Sequence, residues 1–264
     1  MHGIKNGLSL LPEGQDPEFD LAARISRWDA KAQERGEKIA IPSNHIHDPD
    51  ALIIEHQFKK RAAQRALSLI DKPGMRVLDI GCGGCVFASH FIPGLLERDG
   101  TYVGIDQCQW TIDFGWQYLE QHGIVVDGKS VTLTPGLASR LTWGRARPFQ
   151  QEFDLVIAGQ LNIHIVSDEE LNHVAEQKCE VLKLGGYVFE YEPCCDLNPQ
   201  YQGVGAQKNQ DTHIRYEREI VQVSQPHNII PVGTVNAFVH DLYFGEEIYT
   251  FFAKQKVELC PWSR

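Results

Sequence analysis

The sequence of 264 residues has no apolar run near the ~20 residues that a bilayer-spanning helix needs, so a helical membrane protein is excluded. A secretory signal is not expected either: the opening MHGIKNGLSLLPEGQDPEF has one early Lys and too short an apolar stretch. Its seven Cys are odd in number and irregularly spaced, which argues against a disulfide framework and for a reduced, cytoplasmic chain. Basic residues are in deficit, with 25 Lys and Arg against 35 Asp and Glu and a net charge of −10. Such a chain lacks the global field of a nucleic-acid binder. Internal repeats and low-complexity tracts are missing as well.

What is there is an ordinary globular balance, 42% apolar and 23% charged, with length enough for a sizeable core. Residues 1–50 are polar and turn-rich, with one helix expected around 16–35 and extended chain over 39–49. Asp48-Pro49 is a helix start. Ile54, Phe58, Ala62, Ala66 and Ile70 then recur every four residues, an amphipathic helix stopped by Lys72-Pro73-Gly74. From there strands and helices alternate. Strands are expected at Met75–Ile80, Thr101–Asp106, Ser130–Thr134, Phe153–Ala158 and Tyr187–Tyr191. Helices are expected from the Gly81–Gly84 turn to Leu96, over Thr111–Gln121, and from a Ser167–Glu170 capping box to Gly185-Gly186. This alternation predicts a mostly parallel sheet with helices on both faces. After Pro193 the pattern changes. Residues 196–210 read as a loop, and His213–Val223, Thr234–Tyr243 and Glu247–Val257 as strands; two adjacent strands joined without a helix suggest an antiparallel edge.

In an open parallel sheet, ligands bind beyond the carboxyl ends of the strands. The strongest signal lies there: Val77-Leu78-Asp79-Ile80-Gly81-Cys82-Gly83-Gly84-Cys85, with Asp106 ending the next strand. Glycines let a ligand approach the backbone, and the following helix offers unpaired N–H groups. Asp106 can accept hydrogen bonds from both hydroxyls of a ribose. A dinucleotide fold shares these features, but its third glycine position is Val86 here, and Asp79 would repel a pyrophosphate. A ligand with a cationic head suits Asp79 better.

VLDIGCGG, YVGID, FDLVIA and a helix ending VLKLGGYVFEY together resemble a class I S-adenosylmethionine-dependent methyltransferase over residues 50–193, with 247–257 fitting the last strand. The resemblance implies a Rossmann-like α/β fold of seven strands, the last antiparallel. It also implies S-adenosylmethionine as cofactor, S-adenosylhomocysteine as product and a small-molecule acceptor. Asp79, Gly81 and Gly83, with Cys82 between them, would line the methionine part; Asp106 would hold the ribose, and Gln107 and Cys108 would flank adenine. Leu137 stands where the family often has an acidic residue reading the adenine amine. Gly159 and Gln160 would close over the cofactor after the fourth strand.

His164, just past that strand, is the candidate general base for an acceptor that must lose a proton. Asn162 and Gln160 could orient the acceptor or the cofactor carboxylate, and Glu190 and Tyr191 at the end of the fifth strand, where Glu192 follows, could point into the cleft. The N/D-P-P-Y/F tetrapeptide of nucleobase and glutamine-amide methyltransferases is missing. His45-x-His47-Asp48 has metal-ligand chemistry but no visible partner, so no metal is assigned. The expected organisation is an N-terminal lid over 1–50 and a methyltransferase domain over 51–264, with a loop insertion over about 193–228. Protein or RNA methylation, a non-catalytic cofactor sensor and a nucleotide-linked dehydrogenase are the rival readings. The acceptor and the oligomeric state, monomer or homodimer, stay open.

Overall fold

Parallel strands packed on both faces set the architecture. In the computed structural model the described residues are 26, 30, 49–136, 138, 151–165, 167–194, 207–208, 213–241 and 245–258. Nearly all of the expected N-terminal lid, including His45 and His47, lies outside them, as do Leu137 and much of the insertion.

Helix α1 (Pro49–Leu67) begins at the proline, as the Asp-Pro pair predicts. Strands β1 (Arg76–Ile80), β2 (Thr101–Asp106), β3 (Val131–Pro135), β4 (Phe153–Gly159) and β5 (Leu182–Pro193) follow. Helices α2 (Val86–Leu96), α3 (Gln109–Gln121) and α4 (Asp168–Val181) join them. The seven-stranded sheet has the order β3-β2-β1-β4-β5-β9-β8, where β8 is Ile229–Asp241 and β9 is Gly245–Lys256. β1 to β5 pair in parallel, and β9 runs antiparallel to both β5 and β8. The strand order reverses between β1 and β4, so a ligand crevice is expected above those two tips.

One face of the sheet packs Phe58, Ala62 and Ala66 of α1 with Phe87 and Phe91 of α2; Phe153, Val156, Val181 and Leu182 belong to the opposite core. β4 is buried from Phe153 to Ala158, as a strand covered on both faces must be. At the opposite end from the crevice, Asp154 fastens the sheet edge. Its carboxylate accepts from the Arg76 amide at 2.9 Å and pairs with Lys183 at 2.7 Å.

Three expectations change. α4 stops at Val181, four residues before the glycine pair, because Leu182 adopts extended backbone and enters the core beside Phe153. The amides of Gln151 and Glu152 take the freed carbonyls of Glu180 and Val181 at 2.9 Å each. The strand expected over 213–223 is only His213–Ile214 (β7), which pairs with Gln207–Lys208 (β6) in a two-stranded ribbon inside the insertion. It is followed by a short helix α5 (Glu217–Gln222), whose start is fixed by the Tyr216 amide donating to the Glu219 carboxylate at 2.7 Å. β8 starts at Ile229, earlier than expected.

Candidate active site

The tips of β1, β2, β4 and β5 meet around the glycine turn. β1 turns at Gly81, whose φ of 72° is left-handed, and Gly83 follows at 52°. The amides of Gly81 and Cys82 both donate to the Ile105 carbonyl, at 2.8 and 3.0 Å, which docks the turn on β2. A Cβ on Gly83 would meet nothing within 4 Å, so this peptide faces open space rather than packed protein. Cys85, also left-handed at φ 63°, delivers the chain into α2.

Asp106 knits the two turns together. One carboxylate oxygen accepts from the Gly83 amide at 3.1 Å and the other from the Cys108 amide at 2.9 Å. Gln107 is half-buried and Cys108 buried beside it. Asp79 lies deeper, 4% exposed, and accepts a hydrogen bond from the Tyr102 hydroxyl at 2.6 Å. Burial pushes its carboxyl up to about 7; the Tyr102 hydroxyl and the Lys59 ammonium oppose that shift, and Asp106 adds to it.

Above β4, Gly159 is required by packing, because a Cβ there would enter the Tyr191 ring. Gln160 takes the left-handed region at φ 55°, with its amide on the Tyr191 carbonyl at 2.9 Å. Its side-chain oxygen accepts from Lys59 at 2.6 Å. Tyr191 is buried among Phe58, Phe87, Phe189 and Phe251. His164 closes a single 3-10 turn (Asn162–His164) and is half-buried.

Asn162 and Glu190 are drawn inward. The Asn162 amide donates to Glu192 at 2.8 Å, its side chain donates to Glu190 and accepts from Lys178 at 3.3 Å each, and its carbonyl accepts from Arg215 at 2.9 Å. Glu190, 2% exposed, pairs with Lys178 at 2.6 Å and Lys254 at 2.5 Å. Burial alone would raise its carboxyl, but the two ammonium groups outweigh that and hold it at about 2. For Glu192 burial dominates and pushes it up to about 8, with the Asn162 amide and Lys178 opposing the shift and Glu190 adding to it; among the described residues its second carboxylate oxygen has no hydrogen-bond partner. These residues form a buried polar cluster at the tips of β4 and β5.

Sequence reasoning passed over Lys59, Tyr102, Lys178 and Lys254. The signal was present in three of them. Lys59 falls in phase with Ala63, Ala66 and Ile70 on the apolar stripe of α1, Lys178 stands seven residues after Leu171 on that of α4, and Lys254 interrupts Phe251-Phe252-Ala253 in β9. A charge at an apolar phase is buried with a partner or not at all.

Residues 77–186 match the model of the methyltransferase domain family. The matched stretch runs from β1 into β5 and takes in the glycine turn and Asp106. The chain is similar in fold to magnesium protoporphyrin IX methyltransferase from Synechocystis PCC 6803 with bound S-adenosylhomocysteine (13% identity, TM-score 0.63, covering 88% of this chain and 99% of that one). It is also similar in fold to 1,6-didemethyltoxoflavin-N1-methyltransferase from Burkholderia thailandensis (15% identity, TM-score 0.61, 90% and 89%). A third is a methyltransferase from Methanosarcina mazei (16% identity, TM-score 0.57, 71% and 95%). No curated protein matches the chain by sequence. The residues would fit S-adenosylmethionine: a backbone cradle open at Gly83, a carboxylate at each end of it, and no phosphate-binding third glycine. No helix among the described residues is long and apolar enough to cross a membrane.

Proposed function

We propose that this chain is a class I S-adenosylmethionine-dependent methyltransferase that transfers the methyl group of S-adenosylmethionine to an O or N atom of a small-molecule acceptor. The observation that carries the reading is the way the insertion is built onto the turn after β4. Arg215, 2% exposed, bonds the Asn162 carbonyl and reaches Asp168 at 3.0 Å, and Lys254 bonds the Ile220 carbonyl at 2.8 Å and the Ser224 hydroxyl at 2.9 Å. A cap fixed this firmly against the catalytic tips suits an enclosed acceptor better than a polymer. The acidic balance of the chain supports the same choice over RNA. Two fold neighbours are named for small molecules, a magnesium protoporphyrin and a toxoflavin precursor.

The cofactor brings a methyl group already activated on a sulfonium, so the protein's task is positioning and exclusion of water. In this reading Asp79 with the Gly81-Cys82-Gly83 turn holds the amino-acid end and Asp106 the ribose. Gln107 and the Leu137 segment flank adenine, and Gly159-Gln160 closes over the donor. His164 takes the proton of an acceptor that must lose one. Residues 1–50 act as a lid and about 193–228 as the acceptor cap.

The test uses S-adenosylmethionine labelled in its methyl group, offered with a cell extract split by size. Label is expected in the low-molecular-mass fraction, with transfer slowed by His164→Ala. Label in protein or RNA would give the acceptor to a polymer instead. Bound cofactor with no transfer to either fraction would make the chain a sensor.

A further inference from the structure

The side chains of the two cysteines in the glycine turn have no part in the reading above. Cys82 and Cys85 stand at either end of Gly83-Gly84, a C-x-x-C pair at a strand–turn–helix junction, which is the spacing of thiol–disulfide chemistry. Both are free thiols; Cys85 is fully buried and Cys82 is 9% exposed. The Cys85 amide donates to the Cys82 carbonyl at 3.1 Å, so the four residues close one tight turn. Across such a turn the two Cα atoms lie within about 7 Å, a span that a disulfide bridges.

The sulfurs are already in contact. The Cys82 thiol hydrogen-bonds the Cys85 sulfur, and the Cys85 thiol lies 3.8 Å from the Gly83 carbonyl. Packing holds them there. A Cβ on Gly104 of β2 would come within 3.1 Å of the Cys82 sulfur, and one on Gly115 of α3 within 2.8 Å of the Cys85 sulfur. The backbone between the two sulfurs is the open part of the crevice: Gly83 faces free space, and its amide rests on the Asp106 carboxylate at 3.1 Å. A covalent tie across this turn takes away its freedom to adjust to a ligand.

We propose that Cys82 and Cys85 are a redox modification site, in which a peroxide oxidant joins them as a disulfide that locks the glycine turn against its ligand and a thiol reductant reopens it. The effect on the ligand rests on the cofactor reading given above; the bond itself does not. The step is a two-electron oxidation. The sulfur of Cys82, the more exposed of the two, attacks hydrogen peroxide; the O–O bond breaks, one water leaves and Cys82 becomes a sulfenic acid. The Cys85 sulfur then displaces that hydroxyl, which departs as a second water with the Cys85 proton. The sulfurs are oxidised and the peroxide is reduced. The first step needs the thiolate, and the hydrogen bond to Cys85 together with burial pushes the Cys82 thiol up. That step is therefore slow and answers to sustained oxidant. The second is fast, because the partner sulfur is in place.

The experiment treats the full chain with hydrogen peroxide, caps the remaining thiols with iodoacetamide and digests with trypsin. Cleavage after Arg76 and Arg98 gives one peptide that holds Cys82 and Cys85 and no other cysteine. It is expected uncapped, lighter than its dithiol form by two hydrogens, and returned to the dithiol by dithiothreitol. Titration calorimetry on the same samples should show S-adenosylhomocysteine bound about tenfold or more weakly after oxidation, with recovery on reduction. Cys85→Ser, which cannot form the bond, should bind that ligand equally before and after peroxide. Capping of both cysteines after peroxide, or a bond from either one to a cysteine elsewhere, overturns the site. Unchanged affinity in the bonded form overturns the lock, and so does an equal loss in Cys85→Ser. If the reduced chain does not bind S-adenosylhomocysteine, the cofactor reading fails, while the peptide mass still decides the bond.

Discussion

Asp106→Ala is expected to weaken S-adenosylhomocysteine binding about 100-fold, with the fold retained. The carboxylate does two jobs. Its oxygens accept from the Gly83 and Cys108 amides, so it sets the spacing between the glycine turn and the start of α3. As the last residue of β2 it also presents acceptor capacity at the crevice mouth, where the ribose hydroxyls are assigned. A hydrogen bond to a charged group contributes about 1.5–3 kcal/mol, so the loss of the ribose contacts alone amounts to about 3 kcal/mol, or two orders of magnitude in affinity. Titration calorimetry on the variant checks this, and circular dichroism checks the fold. Binding within a factor of about three of wild type would remove Asp106 from the ribose site.

The second large effect is on stability. Glu190→Gln is expected to destabilise the chain by about 3–5 kcal/mol at neutral pH, because it leaves Lys178 and Lys254 buried beside each other without their common counter-ion. The sign with pH follows from the low folded value of about 2. A carboxyl depressed below its unfolded value stabilises the folded state fully above the unfolded value, and that contribution fades as pH falls through about 4 towards 2. Urea unfolding at neutral pH and at pH near 3 should therefore show a large gap between wild type and variant that narrows in acid. The double variant Glu190→Gln/Lys254→Met should recover part of the loss. A gap under about 1 kcal/mol at neutral pH would mean that the three charges are solvated rather than paired in a dry interior.

Much of this molecule was legible from periodicity. β1 to β5 and their helices sit where runs of buried apolar residues bounded by glycine, proline and capping groups place them. The glycine turn and Asp106 were legible because their chemistry is local: a left-handed turn needs Gly81, and a strand-end carboxylate needs only its position. What was not legible depends on residues far apart in the chain. The end of α4 is set by the amides of Gln151 and Glu152 reaching across from the start of β4, so the glycine pair could not mark it. The strand expected over 213–223 became a helix because Glu219 caps Tyr216 locally and Ile220 is buried against Cys194 and Phe252. Glu190 and Asn162 read as cleft residues from strand position alone. Only the lysines arriving from α4 and β9 reveal that they belong to an internal network.

The measurement that tests the account most directly is calorimetric titration of the wild-type chain with S-adenosylhomocysteine at pH 6 and pH 8, with NAD as the comparison ligand. An ammonium group beside Asp79 requires its carboxylate form, and that carboxyl titrates near 7 in the free protein. Proton linkage then predicts one saturable site that is roughly tenfold tighter at pH 8 than at pH 6, and no binding of NAD. Equal affinity at the two pH values would contradict the role of Asp79, and binding of NAD without S-adenosylhomocysteine would contradict the account as a whole.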